Sequence, residues 1–463
     1  MKIPQTPKSL HEHIGTLDKP EDGHKYIMNI YSNATKVVDS EGRYAHWDKL
    51  QYRPVPDGVD SPLDYWYMLK AARSIGKKGT VFKDKKESLF SYVEFDRLNE
   101  LKDWVVEHAA GALNAPSQIK DKSTKSKYLI SSIIEEAISS SKMEGASTTR
   151  RVAKDMLRSG REPKDVSEKM IFNNYQAMNF IRYMLKDGDI KLTPKIIFKL
   201  HDIVTEGTLT GEDEGKGGVL RGAGDNIVVC DPRSEEILHT PPSFKSLPER
   251  LQLICDFVNG DTDEDGTYIP PVIRAIITHF MIGYDHPFVE GNGRTARALF
   301  YWVMIKNNYW LMEYVSISAV IKRSQNDYLK AYIHTESDEN DLTYFILQQL
   351  EVIKQAVTDF HEHVLIQVQK DNDVLELFKG SSIRKELNLR QVALIRNALK
   401  HAGNTYTVLS HKTSHGCSKE ASRKDLLKMA DVYGLLNKFK DGRTLVFIAP
   451  NDIVERIKNY KVE

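Results

Sequence analysis

The sequence predicts a mainly helical protein in three parts, and three observations carry that expectation. Apolar residues recur at helical spacing through the central chain, most clearly over 273–283 and 294–306, where Ala296, Leu299, Phe300, Val303 and Met304 share one stripe. Strand signals are confined to two short hairpins, one around Asp231-Pro232-Arg233-Ser234 and one around Asp441-Gly442. The charge balance also changes after about Asp371: residues 381–463 hold sixteen Lys plus Arg against eight Asp plus Glu, a local net of +8 that leaves −7 for the rest. The expected parts are a mainly helical scaffold region at 1–125, a helical body at 126–365 and a small basic domain at 371–463.

The whole chain has 463 residues and a net charge of +1, so it is neither a polyanion binder as a whole nor disordered. Its three cysteines, Cys230, Cys255 and Cys417, form no C-x-x-C pair, which suits a reducing cytoplasm and argues against zinc. The N-terminus lacks an apolar leader core, and the longest apolar run, 298–305, is too short to cross a bilayer. A cytoplasmic protein without a membrane partner is expected. In the first part, Asp60-Ser61-Pro62 opens a helix through Ala72, and residues 90–112 read as another. Trp47, Tyr52, Trp66 and Tyr67 are expected to pack in a core.

The body opens with a helix over 128–143 that directs Ile130, Ile134, Ala137 and Ile138 inward and stops at Gly145. Glu144 then falls in the last turn, where the helix dipole makes a carboxylate unfavourable by about 0.3 to 1 kcal/mol unless a cation meets it. Ser140 lies four residues earlier on the same face. Helices follow over 166–185 and 194–204, the second capped by Thr193. Residues 226–240 read as a hairpin, with Ile227, Val228 and Val229 in its first strand and an edge free to register an extended peptide. Residues 314–332 and 342–361 close the body as helices.

Between the two clearest helices lies His286-Pro287-Phe288-Val289-Glu290-Gly291-Asn292-Gly293-Arg294-Thr295-Ala296-Arg297. Pro287 cannot continue a helix and disfavours helical backbone at His286, so the imidazole sits just past a helix end. Gly291-Asn292-Gly293 lets the chain turn with bare amides where the next helix begins, a seat for phosphate. Arg294 and Arg297 project from one helical face and match phosphate oxygens. A lone carboxylate here, Glu290, asks for a hard cation, and Mg²⁺ is the one that takes a carboxylate plus phosphate oxygens. His286, with an ordinary pKa of about 6.5, suits a proton acceptor at neutral pH. Together these parts point to Mg²⁺-nucleotide chemistry.

The string resembles the signature of the Fic family, His-Pro-Phe-x-[Asp/Glu/x]-Gly-Asn-Gly-Arg-x-x-Arg, with every fixed position matched. The resemblance implies transfer of AMP from Mg-ATP to a Ser, Thr or Tyr hydroxyl of a target protein or of the chain itself, with pyrophosphate released. It implies His286 as general base, Glu290 as Mg²⁺ ligand, and Gly291, Asn292, Gly293, Arg294 and Arg297 as ATP-binding residues. Phe288 would anchor the loop, and Tyr328 or Thr335 would meet adenine. Ser140-x-x-x-Glu144-Gly145 resembles the family's inhibitory motif, whose Glu pairs with the second motif arginine, here Arg297. The hairpin resembles the family's target-clamping flap, and Arg221 before it is read as structural. In some relatives the inhibitory Glu supports AMP removal, and transfer of another nucleotide such as UMP stays open.

In the basic part, a helix over 389–399, a second around 407–413, a third over 419–432 capped by Ser418, and a hairpin over 439–447 resemble a winged helix. The third helix carries Lys419, Arg423 and Lys424 near its start, as groove-reading helices do, which makes DNA a possible partner. The competing reading is a transcriptional regulator that uses the central pocket only to sense nucleotide.

Overall fold

The structure is a computed structural model that describes residues 3–16, 20–110, 122–186, 188, 190–231, 234–263, 268–400, 403–442 and 444–460. It divides into two compact units, residues 1–360 and 361–463. Labels below are given to the elements that position the site.

Ser61 caps α1 (Pro62–Ile75) by accepting the Asp64 N–H at 3.1 Å, with Pro62 in the first turn. Trp66 and Tyr67 are buried in this helix as expected, whereas Tyr52 is 82% exposed. The helix expected over 90–112 is corrected. Leu89–Val93 is β2, paired antiparallel with β1 (Lys77–Lys83), and α2 (Asp96–Val105) begins only after it. Phe90, Tyr92 and Val93 suit either a buried strand or a helix, and a partner strand distant from any local signal decides the matter. Residues 111 and 112 of that expected helix lie outside the described residues.

The long helix α3 (Lys122–Met143) starts earlier than expected. Ile134, Ala137 and Ile138 pack against Ala153, Met156, Met170 and Ile171, while Ile130 is 46% exposed because that cluster does not reach it. Glu136, one turn before Ser140, accepts from Tyr301 Oη and Ser316 Oγ at 2.8 Å and from the Ser318 amide at 3.1 Å, so the helix is moored by a satisfied buried carboxylate. Two capped helices follow: α4 (Val166–Leu185), with Asp165 accepting the Glu168 N–H, and α5 (Pro194–Thr205), with Thr193 accepting the Ile196 N–H.

The hairpin is shorter than expected. Val229–Cys230 (β3) pairs antiparallel with Ile237–His239 (β4), so of Ile227, Val228 and Val229 only the last is in a strand. Two or three residues on an isolated ribbon hold little ladder. Pro232 and Arg233 of its turn lie outside the described residues.

Then come α6 (Leu247–Asn259), α7 (Pro271–Asp285) and α8 (Asn292–Lys306). The last two are buried nearly all round: Phe280, Met281, Phe300 and Trp302 show no exposed surface. Each such side chain contributes about 1.5 to 3 kcal/mol by leaving water, which makes this pair the rigid centre of the bundle. The single helix expected over 314–332 is broken into Ile317–Arg323 and α9 (Gln325–Ser337), with Ser324 outside helical geometry at the junction. The last is α10 (Thr343–Gly380), which carries the division between the two units.

In the second unit, α11 (Leu389–Lys400), strand β5 (Thr405–Thr407), α12 (Val408–His415), α13 (Lys419–Leu427) and the hairpin β6 (Asn437–Asp441) and β7 (Thr444–Ile448) follow in order. The sheet order is β5-β7-β6, and Ile395, Leu426, Met429, Leu435 and Phe447 fill its core. The third helix expected over 419–432 ends its α-helical part at Leu427 and continues as a π turn. Strand β5 escapes sequence reasoning because it pairs with β7, more than thirty residues on. No helix among the described residues is long and apolar enough to cross a membrane.

Candidate active site

His286 sits where α7 stops. His286 takes a left-handed conformation, φ 44° and ψ 58°, with its N–H on the Ile282 carbonyl. That conformation is uncommon for a side chain with a Cβ and costs on the order of 1 kcal/mol, which the surrounding bonds must offset. Arg221 supplies several of them. Its Nε donates to the His286 carbonyl at 2.7 Å, and its Nη2 donates to the carbonyls of Pro242 and Asp285. The structural role read for Arg221 therefore holds.

His286 Nδ1 lies 3.0 Å from the Gly283 carbonyl, so Nδ1 carries the hydrogen and Nε2 keeps its lone pair. Burial pushes the imidazole below its ordinary 6.5, with His239 and Arg221 acting the same way against Gly283 and Glu144. At neutral pH the ring is an unprotonated acceptor.

The loop after it is closed by its own polar groups. Phe288 is fully buried and stacks on His201 with ring centroids 3.6 Å apart. Asn292 accepts the Phe288 N–H at 3.0 Å and donates to the Phe288 carbonyl at 2.8 Å. His201 Nδ1 accepts the Gly218 N–H at 2.8 Å, so its Nε2 donates to the Glu290 carbonyl, also at 2.8 Å. Burial lowers the His201 pKa to about 4, so the ring stays neutral and serves as a strut. Sequence reasoning missed His201, since one histidine on an apolar helix carries no local signal.

Gly291 has φ 81° and a Cβ there would meet Thr205 Cγ2 at 2.8 Å, so only glycine fits. No side chain caps the α8 amides that follow, which leaves them directed at an anion. Glu144 occupies that place. A Cβ on Gly293 would fall 2.3 Å from Glu144 Oε1, which means the carboxylate lies directly against the turn. Glu144 Oε1 accepts from Arg297 Nη2 at 2.8 Å, and Arg297 also holds Ser140 through Nε to Oγ (2.8 Å) and Nη2 to the carbonyl (3.1 Å). Burial raises the Glu144 carboxyl, but Arg297 and Arg294 more than offset it and hold it below the ordinary carboxylate range.

These residues border one cavity of about 310 Å³, whose far wall is α9 with Tyr328, Leu329, Tyr332 and Ile333. His286, Glu290, Gly291, Asn292, Gly293, Arg297, Glu144 and Val229 all line it. Arg294, Ser140, Ile227 and Val228 do not. Arg294 is fully buried beneath the loop, with Nη1 on the Val204 carbonyl at 2.5 Å and Nη2 3.3 Å from Glu290 Oε1. Of the two adenine candidates Tyr328 lines the cavity, and Thr335 is buried outside its wall. Glu290 is half exposed at the rim, where its carboxylate can meet a hard cation beside the anion seat.

Elsewhere in the first unit His46, Asp48 and His334 approach one another as metal ligands would. The two rings stack face to face at 4.2 Å and His46 Nδ1 already accepts the Asp48 N–H, so their in-plane lone pairs do not converge on one ion.

The central helix pair of the bundle thus brackets a turn with uncapped amides, with an imidazole beside it on one cavity. Residues 191–304 match the model of the Fic/DOC family. It is 40% identical over 70 residues to the protein adenylyltransferase fic-1 of Caenorhabditis elegans, a match covering 15% of this chain and 13% of that one. It is 26% identical over 201 residues to the protein adenylyltransferase Fic of Drosophila virilis, covering 42% and 37%. The chain thus spans only a minor share of these relatives' length. A crystal structure of a Fic family protein from Desulfovibrio desulfuricans G20 aligns with a TM-score of 0.49 at 18% identity, over 78% of this chain and 98% of that one.

Proposed function

We propose that the chain is a protein adenylyltransferase that moves AMP from ATP to a Ser, Thr or Tyr hydroxyl of a target protein or of itself. The observation that supports this most is the juxtaposition of His286, with Nε2 unprotonated, and the uncapped α8 amides on one cavity. The target oxygen attacks the α-phosphorus, its proton passes to His286 Nε2, and the bond to pyrophosphate breaks as pyrophosphate leaves. A positioned base of this kind contributes roughly 10² to 10⁴ in rate. The Gly293 and Arg294 amides and Arg297 bind the phosphates, while Arg294, Asn292 and His201 keep the turn in shape. Glu290 would hold Mg²⁺, which when bound neutralises charge on the phosphate oxygens. The flap's Val229 edge would register an extended target segment beside the base.

Glu144 restrains this chemistry. Its carboxylate stands against Gly293 and engages Arg297, so a third phosphate has neither its amide seat nor its guanidinium until Glu144 moves. Mass measurement of the Glu144→Gly protein after incubation with each nucleoside triphosphate and Mg²⁺ tests the reading. Gain of one AMP, lost again in Glu144→Gly/His286→Ala, is expected; gain of another nucleotide reassigns the base, and no gain from any nucleotide removes transfer. Loss of AMP from a premodified target would instead favour the hydrolytic direction.

A second reading concerns the smaller unit, which we take as a winged helix at 371–463 that contacts DNA. Lys419, Arg423 and Lys424 are exposed on α13 and make no ion pair among the described residues, while Ser422, Asp425 and Leu426 face the core. Filter binding over a salt series checks this, because phosphate contacts give affinity that falls steeply with salt. A cytoplasmic setting fits three free cysteines.

A further inference from the structure

His239 lies opposite Val229 in the flap hairpin and turns its ring inward, where the side chain is 8% exposed. Nδ1 is 2.7 Å from Glu336 Oε2 on α9, and Nε2 is 2.7 Å from the Tyr284 carbonyl in the last turn of α7. A carboxylate and a carbonyl both accept, so each bond needs its own ring proton. With Glu336 ionised, only the imidazolium makes both.

The place it grips is the turn that orients the base. The Gly283 carbonyl that fixes the His286 tautomer is one residue before Tyr284. Three elements meet at His239: the flap, the base-bearing helix and the cavity wall. Other charged and titratable groups surround the junction. Asp285 and His286 come from α7, Arg250 from α6 donates to Asp285 Oδ1 at 2.7 Å, and Arg221 reaches the Asp285 and Pro242 carbonyls. Lys85, from the turn between β1 and β2, reaches the Thr240 carbonyl at 3.3 Å, and the Tyr284 ring lies 4.8 Å from the His239 ring. Burial raises Asp285 to about 6 despite Arg250, His239 and Arg221.

We propose that His239, held as an imidazolium between the Glu336 carboxylate and the Tyr284 carbonyl, is a positioning residue that ties the flap to the base's turn and further disfavours a proton on the buried His286. A cation beside a second imidazole disfavours a proton there, and the same bonds stop the flap from drifting away from the base. The effect on rate rests on the transfer reading; the protonation state of His239 does not.

The test is nitrogen NMR of the full chain labelled at histidine, with resonances assigned by their loss in His239→Gln and His286→Ala. At neutral pH both His239 ring nitrogens are expected to be protonated in the unmutated protein. In His239→Gln and Glu336→Gln the His286 titration midpoint is expected to rise by roughly 0.5 to 1 pH unit, the size of one partly screened charge. A singly protonated His239 ring overturns the proposal, and needs no variant to be seen. An unmoved His286 midpoint in both variants also overturns it. In the Glu144→Gly background the acid limb of AMP transfer is expected to rise with the NMR midpoint. A moving midpoint with no transfer at any pH supports this assignment and refutes the transfer reading instead.

Discussion

The loop 286–294 and the end of α3 at Ser140–Glu144 meet at one anion seat, and they are built in opposite ways. The loop is held by many bonds, some its own and some from α5 and Arg221. Asn292 closes on Phe288, His286 on Gly283, His201 on Glu290 and Arg294 on Val204, all through short bonds to backbone. The end of α3 and Glu144 after it reach the seat through hydrogen bonds from Arg297, with the carboxylate resting against Gly293. The difference teaches that on the proposed reading the reacting groups are preorganised, whereas the restraint would rest on contacts to one guanidinium that a competing anion can displace.

Four measurements break or sharpen that contrast. His286→Ala in the Glu144→Gly background should cut AMP transfer by roughly 10² to 10⁴, the contribution of one positioned base; retained labelling with radioactive ATP would unseat the loop as the chemical centre. Glu144→Gly should raise self-modification by roughly 10- to 100-fold, the equivalent of one charge-assisted bond of about 1.5 to 3 kcal/mol. An initial-rate comparison with the parent chain checks it, and equal rates would mean that α3 restrains nothing. Ser140→Ala removes the neutral half of the same contact, so a smaller rise of roughly 2- to 10-fold is expected in that assay.

Asn292→Ala should act on the loop side only. Two backbone groups lose their partners, costing about 1 to 3 kcal/mol, and a thermal melt should drop by a few degrees. A melt identical to the parent would contradict the picture of a loop closed by Asn292.

The pH dependence sharpens the contrast further. Burial lowers the His286 pKa, and Glu144 is one of the groups that opposes this, so removing Glu144 lowers it more. The acid limb of transfer by Glu144→Gly should therefore lie below 6.5, with a level rate through neutrality; a midpoint at or above 6.5 refutes the assignment. Glu144 itself is held below the carboxylate range, so its contact with Arg297 is fully present above that range and lost only as pH falls through the lowered value. Restraint should not relax between mildly acidic and mildly alkaline pH.

Legibility followed range. Helix starts at Pro62, Pro194 and Lys419 were readable because the caps Ser61, Thr193 and Ser418 act within three residues. The turn at 291–293 was readable because a glycine pair at a helix start stands within a few residues of His286, Glu290 and two arginines. Misreadings fell where a distant partner arbitrates. Residues 89–93 became strand because 77–83 pair with them, and the hairpin at 226–240 shrank because among the described residues no third strand supports it. Arg294 was expected to meet phosphate, and its guanidinium is buried beneath α5's last turn on the Val204 carbonyl, a placement no local signal announces.

By itself the sequence determined the helical class, the break at His286-Pro287, the bare amides after Gly291 and the need of Glu144 for a cation. Those follow from backbone sterics, helix dipoles and side-chain chemistry acting over a few residues. Only the tertiary structure decided that Glu144 rests on Gly293 with Arg297, that His201 props the loop, and that His239 bridges Glu336 and Tyr284. Such contacts join residues up to 153 positions apart, and their geometry exists only once the buried pair α7 and α8 has packed and carried the other elements into place.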